Sequence, residues 1–104
     1  MTDTHPIGAA IDVEAAMRIA SRELGGQPAQ LYLFGSRARG DAARASDIDI
    51  AILPEAPLES GTLSRIRDAL DESTIPYEVE VIDLSSVDET FRRRVLAEAI
   101  AWNG

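Results

Sequence analysis

The chain has 104 residues, with 18 acidic and 10 basic side chains and a formal charge of −8. This length suits one domain, and 45% apolar with 27% charged residues is the composition of an ordinary folded protein. The sequence has no cysteine and one histidine, His5, which excludes disulfides, thiolate zinc sites and histidine-based catalytic triads. All ten basic residues are arginine, so Schiff-base chemistry and a Walker-type phosphate lysine are also excluded.

The charge and the hydropathy pattern limit the partners. An acidic balance disfavours a direct nucleic-acid partner, because contact with phosphates requires a basic surface. No apolar run approaches the roughly 20 residues that a membrane span needs. The first eight residues lack the basic and apolar regions of a secretory signal. We therefore expect a cytoplasmic protein with no membrane partner.

The first part of the chain predicts a flexible lead-in over residues 1–10, followed by a single domain over 11–104. Apolar residues recur with helical spacing from Ile11, and the glycine pair 25–26 ends that helix. The short apolar run 31–34, bounded by a glycine, predicts a buried strand.

The second part alternates between the two kinds of element. Residues 47–52 alternate between polar or small and apolar side chains and predict a strand, and 77–83 predict a third. Residues 63–70 form an amphipathic helical pattern, and a helical stripe predicts a closing helix through Phe91, Val95, Ala99 and Trp102. This order predicts an α/β (α+β) fold: a small mixed β-sheet with helices packed on one face.

Two carboxylates on one strand follow a glycine-rich turn. Residues 35–40 read Gly-Ser-Arg-Ala-Arg-Gly directly after the first strand, and ten residues separate Ser36 from Asp47. Asp47 and Asp49 are two apart on a strand, so they share a face at roughly 6.5–7 Å. Such a pair can converge on two Mg²⁺ ions about 3.5–4 Å apart, as in enzymes of phosphoryl transfer. The alternative without a metal is that Asp47 caps a helix or strand and Asp49 is a solvated residue on an open face of the sheet.

The turn itself suggests a phosphate site. Gly35 permits a tight turn and a close backbone approach, and the hydroxyl of Ser36 with nearby N–H groups suits a triphosphate tail. The alternative is a strand-to-helix turn with Ser36 as an N-cap and no ligand. The guanidinium forks of Arg37 and Arg39 match phosphate oxygens, although a solvated helix face or pairing with Asp41 would also explain them.

Together, Gly35-Ser36 and the run Ser-Asp-Ile-Asp-Ile-Ala at 46–51 resemble the minimal nucleotidyltransferases of the DNA polymerase β superfamily. The resemblance extends over about residues 12–102 and implies a palm-like nucleotidyltransferase fold. Members usually carry a third aspartate in the penultimate strand, and the matching stretch here, Val-Glu-Val-Ile-Asp-Leu, places Glu80 there. An exposed edge-strand glutamate is the alternative for Glu80, and Asp83 has the wrong parity to join the cluster.

The resemblance also implies a site. Asp47, Asp49 and Glu80 would be the catalytic residues and the ligands of two Mg²⁺ ions, with ATP as the substrate. Gly35 and Ser36 would hold the β- and γ-phosphates, assisted by the two arginines of the turn.

Finally, the resemblance implies a partner: a HEPN-domain RNase toxin that forms a hetero-oligomer with its minimal nucleotidyltransferase antitoxin. The antitoxin would transfer AMP from ATP to a tyrosine of the toxin. A second hypothesis, favoured by glutamate at position 80, is a non-catalytic antitoxin that binds stoichiometrically and retains a vestigial nucleotide site. A third hypothesis is a subunit of an antibiotic-type nucleotidyltransferase. Its acceptor pocket would need a second wall, supplied by a dimer or by an accessory subunit.

Overall fold

The computed structural model describes residues 5–40 and 47–103. Helices and strands alternate through these ranges: α1 (His5–Leu24), β1 (Ala29–Phe34), α2 (Ser36–Arg39), β2 (Ile48–Pro54), α3 (Thr62–Asp71), β3 (Val79–Asp83), α4 (Glu89–Glu98) and β4 (Ile100–Ala101).

The strands form one mixed sheet in the order β3-β2-β1-β4. β1 is antiparallel to β2 and to β4, whereas β2 and β3 are parallel. The predicted mixed sheet with packed helices is therefore confirmed, and β2 lies at its centre beside both β1 and β3.

The main core lies between α1, α3 and one face of the sheet. The isoleucines of β2 alternate along the strand, so all three project into this core and are fully buried. Its buried members are Ala16, Met17, Ala20, Leu24, Leu31, Ile48, Ile50, Ile52, Ile66, Leu70 and Val81. Helices thus cover this face as predicted, but the expectation that helices pack on one face alone is wrong, because α4 packs on the other face.

The opposite face is divided. A smaller buried cluster of Ala51, Leu84 and Val95 packs α4 against it. Asp49 on β2 and its partner Glu80 on β3 alternate with the main-core residues of their strands, so both lie on this opposite face. The acidic residues therefore occupy the part of the sheet where β2 and β3 begin.

Both ends of the chain differ from the prediction. α1 begins at His5, so residues 5–10 of the expected lead-in are helical, while 1–4 lie outside the described residues. Pro6 is tolerated there because the N–H groups of a first helical turn have no partner within the helix.

The predicted closing helix ends early. The backbone of Ala99 is extended (ψ 151°), and Ile100 then pairs with Leu33 as part of β4. Ala99 and Trp102 are therefore not helical, and the Nε1 of Trp102 donates a hydrogen bond to Glu14 Oε1 at 2.8 Å. The helical stripe was misleading because side-chain spacing does not record which backbone groups find a partner strand.

The outer strand β3 is covered at one point of its open edge. Arg67, on α3, donates from Nη2 to the carbonyl oxygen of Val81 at 2.8 Å. Among the helices that the structure describes, none is long and apolar enough to cross a membrane.

Candidate active site

A glycine makes the turn from β1 into α2. Gly35 has φ 79°, in the region that favours glycine, and its carbonyl accepts from the N–H groups of Ala38 and Arg39, both at 3.1 Å. Gly35 therefore occupies the N-cap position itself, and no side chain caps the helix. Ser36 is the first helical residue, so the alternative reading of Ser36 as an N-cap is wrong.

The carboxylate of Asp49 lies directly against this turn. Antiparallel pairing places Asp49 opposite Phe34, one residue before the glycine. A Cβ on Gly35 would overlap Asp49 Oδ2 and would lie 3.1 Å from its Cγ. The close approach expected of Gly35 is thus present, and the group that approaches it is this carboxylate.

Parallel pairing adds a second carboxylate to the same face. Glu80 is the register partner of Asp49 across β2 and β3. Glu80 and Asp47 are exposed, whereas Asp49 is half-buried. Asp83 pairs with Ile52, a main-core residue, and its Oδ1 accepts from the backbone N–H of Ser85 at 2.9 Å. The predicted parity of Asp83, outside the acidic group, is therefore confirmed.

The three carboxylates interact electrostatically. Burial raises the pKa of Asp49 above its ordinary value, and the negative charges of Glu80 and Asp47 raise that pKa further. The positive charges of Arg37 and Arg39 act on the same pKa in the opposite direction. The charged side chains of this site therefore all act on the pKa of Asp49.

The carboxylates do not form a ready-made metal cage. Within residues 5–40 and 47–103, no three Asp, Glu or His side chains form a group that could hold a metal ion. The donor set nevertheless suits Mg²⁺, which prefers hard carboxylate oxygens. A cation would relieve the repulsion that raises the pKa of Asp49. The metal site of Asp47, Asp49 and Glu80 stays a prediction.

The two arginines of α2 are anchored differently. The Nε of Arg37 donates to the carbonyl oxygen of Asp47 at 3.2 Å, and its guanidinium carbon lies 4.5 Å from the ring centroid of Tyr77. Arg39 forms an ion pair with Glu98 of α4 at 3.0 Å. Their predicted phosphate contacts stay predictions. Asp41, the alternative partner, and Ser46 of the acidic motif lie in 41–46, outside the described residues.

Sequence reasoning missed Tyr77. This side chain precedes β3 and is half-buried against the main core, so its contact with Arg37 depends on the sheet pairing that brings residues 37, 47 and 77 together. No spacing along the chain records that proximity.

One family model matches most of the chain. The model described as "Polymerase beta, Nucleotidyltransferase" matches residues 18–101, which include every predicted site residue. The chain belongs to the polymerase β nucleotidyltransferase family.

One curated relative is a probable protein adenylyltransferase, MntA, from Haemophilus influenzae. It is 39% identical over 62 residues, which are 60% of this chain and 54% of the relative. The chain thus spans about half the length of that curated relative.

Solved structures share the fold. A chain of a toxin–antitoxin complex with AMP-PNP matches with a TM-score of 0.69 and 27% identity, over 88% of this chain and 73% of that one. A candidate minimal nucleotidyltransferase matches with a TM-score of 0.65 and 27% identity, over 95% of each chain. A complex of the tri-AMPylated Shewanella oneidensis HEPN toxin with its MNT antitoxin matches with a TM-score of 0.67 and 21% identity, over 91% and 72%. At that identity, the last similarity shows the fold only.

Proposed function

We propose that this protein is an antitoxin that transfers AMP from ATP to a tyrosine of a cognate HEPN-domain RNase toxin and so neutralises it. The observation that carries the proposal is the position of Asp49, which lies under the Gly35 turn and in register with Glu80. The similar proteins support it, because they include a protein adenylyltransferase and toxin–antitoxin complexes, one of them with AMP-PNP.

The reaction needs positioning and charge neutralisation more than covalent help. The tyrosine oxygen attacks the α-phosphorus of ATP, the bond from that phosphorus to the bridging oxygen breaks, and pyrophosphate leaves. Glu80 accepts the proton of the tyrosine hydroxyl. Gly35 and Ser36 hold the β- and γ-phosphates, and the two arginines of α2 supply positive charge beside them.

Asp47, Asp49 and Glu80 would hold two Mg²⁺ ions, which would supply charge neutralisation for the phosphates and for the leaving pyrophosphate. Gly35 contributes by leaving the space that the Asp49 carboxylate occupies.

The HEPN protein supplies the acceptor tyrosine, so the functional unit is a hetero-oligomer. The charge of −8 complements a basic RNase surface and speeds encounter with it. The reaction takes place in the cytoplasm and involves neither a membrane nor direct contact with nucleic acid.

Intact-mass measurement of the partner tests this proposal. We expect the wild-type chain, incubated with ATP, Mg²⁺ and the HEPN protein, to raise the mass of that protein in steps of one AMP. The double variant Asp47→Ala/Asp49→Ala is the matched control and should leave the partner unmodified and active. An unmodified partner that both proteins neutralise equally would contradict AMP transfer.

That contradicting outcome would support stoichiometric neutralisation, which two observations favour. Glutamate replaces the third aspartate of the family pattern, and the carboxylates of the described residues do not form a metal cage. This second candidate retains the interface with the partner and dispenses with catalysis.

Variants of Glu80 separate the two candidates. We expect Glu80→Gln to lower the rate of AMP transfer by about 100-fold, because an amide accepts no proton. Glu80→Asp should retain activity within about tenfold, since the carboxylate stays on the same face with a shorter reach. The matched control is Glu78→Gln, two residues earlier with an exposed side chain. Equal rates for Glu80→Gln and the wild type would remove Glu80 from the reaction.

A further inference from the structure

The peptide unit between Asp47 and Ile48 is held at both of its polar ends. Its carbonyl oxygen, on Asp47, accepts from Arg37 Nε at 3.2 Å. Its N–H, on Ile48, donates to the carbonyl oxygen of Glu78 at 2.9 Å. Because a peptide unit is planar, two opposed hydrogen bonds fix its orientation. That orientation sets the direction in which the Asp47 side chain leaves the backbone.

These two hydrogen bonds form a clamp on the peptide unit. Tyr77 lies beside both of the groups that make it, Glu78 and Arg37. It directly precedes Glu78 in the chain, and its ring lies under the guanidinium of Arg37, 4.5 Å from the guanidinium carbon to the ring centroid. Tyr77 also packs against the main core, and this packing restricts the position of its ring. An aromatic face attracts a guanidinium and limits the rotamers open to a long side chain.

We infer that Tyr77 is a positioning residue of the AMP-transfer site. It holds Arg37 against the Asp47 carbonyl and thereby orients the first of the carboxylates. In this role Tyr77 acts through its contact with Arg37. This inference rests on the proposed function for its effect on catalysis, whereas the clamp itself is a property of the free chain.

The clamp is tested first without any activity, by NMR of the arginine Nε–H groups. In the wild type, the Nε–H of Arg37 should exchange slowly and show a ring-current shift. Tyr77→Phe keeps the ring and should keep both signatures, whereas Tyr77→Leu should lose both. Thermal unfolding of each variant reports how far the fold is affected. A slowly exchanging Arg37 Nε–H in folded Tyr77→Leu would show that Arg37 stays in place without the ring, and would overturn the role of Tyr77.

The effect on the site is tested by a double-mutant cycle with Arg37→Ala. Tyr77→Leu should lower kcat for AMP transfer about fivefold when Arg37 is present, the factor typical of one cation–π contact. In the Arg37→Ala background the same change should have no further effect. Tyr77→Phe should restore wild-type kcat. A structural role for Tyr77 would instead give equal losses in both backgrounds, which would overturn the inference.

Failure of the proposed function gives a different result. If the wild type transfers AMP and Tyr77→Leu matches it, the inference fails while the proposed function stands. If the wild type transfers no AMP, the proposed function fails. The double-mutant cycle of Tyr77 and Arg37 is then measured by the affinity of each variant for Mg²⁺ with AMP-PNP. Unchanged affinity in Tyr77→Leu would then overturn the positioning role as well.

Discussion

Replacing Gly35 by alanine should abolish AMP transfer, with a loss of roughly 1,000-fold. The new Cβ would overlap Asp49 Oδ2, so the carboxylate must leave the position that it occupies under the turn. Gly35 combines φ 79° with ψ −159°, a conformation essentially confined to glycine, so alanine there adds backbone strain of about 1–3 kcal/mol. We expect a folded protein of reduced stability with almost no activity, measured by denaturant unfolding and by partner mass.

Gly26→Ala separates strain from displacement. Gly26 has φ 90°, also in the glycine region, and a Cβ there would meet nothing within 4 Å. This control should lose free energy of unfolding through backbone strain alone and keep AMP transfer near the wild-type rate. Equal activity of the two variants would show that the contact between Gly35 and Asp49 has no part in catalysis.

Asp49→Asn should remove activity and stabilise the fold. The amide holds Mg²⁺ poorly, so transfer should fall by roughly 1,000-fold. Burial and the negative charges of Glu80 and Asp47 disfavour the ionised form of Asp49 and raise its pKa. Removing that charge should raise the free energy of unfolding by roughly 0.5 kcal/mol, a small gain because water reaches part of the site.

The pH dependence gives the sign of this effect. Because the pKa of Asp49 is higher in the folded state than its ordinary value of 3.8, the folded protein binds the proton more tightly. The stabilisation from that proton is complete below the ordinary value and is lost as pH rises through the folded pKa. The advantage of Asp49→Asn should therefore be present at about pH 7 and absent at about pH 3.

Denaturant unfolding at both pH values measures that difference. Asp68→Asn, which removes one negative charge from the exposed side of α3, is the control for net charge. If Asp68→Asn stabilises the chain as much as Asp49→Asn, the effect belongs to the overall charge of −8 and not to the acidic site. A less stable Asp49→Asn at neutral pH would contradict the electrostatic reading of the site.

Local patterns predicted the parts of the site that lie on one strand or one turn. The alternation of residues 47–52 placed Asp49 on the face of the sheet opposite to that of the core isoleucines. The same alternation placed Asp83 and Glu80 on different faces. The glycine at position 35 predicted a close approach, although the residue that approaches it became visible only once β1 and β2 were paired.

The missed features depend on contacts between distant segments. Ile100 is a strand residue because Leu33 offers a partner, and the periodicity of the preceding helix conceals that. Tyr77 reaches Arg37 across the start of two strands, so no local rule could connect them. The start of α1 was misplaced because the apolar residues with helical spacing begin only at Ile11, whereas the backbone is helical from His5.

The hydrogen bond from Arg67 to Val81 has a consequence for how free chains behave. An open outer strand can template the addition of a strand from another molecule, and a long charged side chain folded over that edge opposes this. The other border of the sheet is a strand of only two residues, too short to template much growth. Both edges of the sheet therefore oppose edge-to-edge polymerisation of free chains.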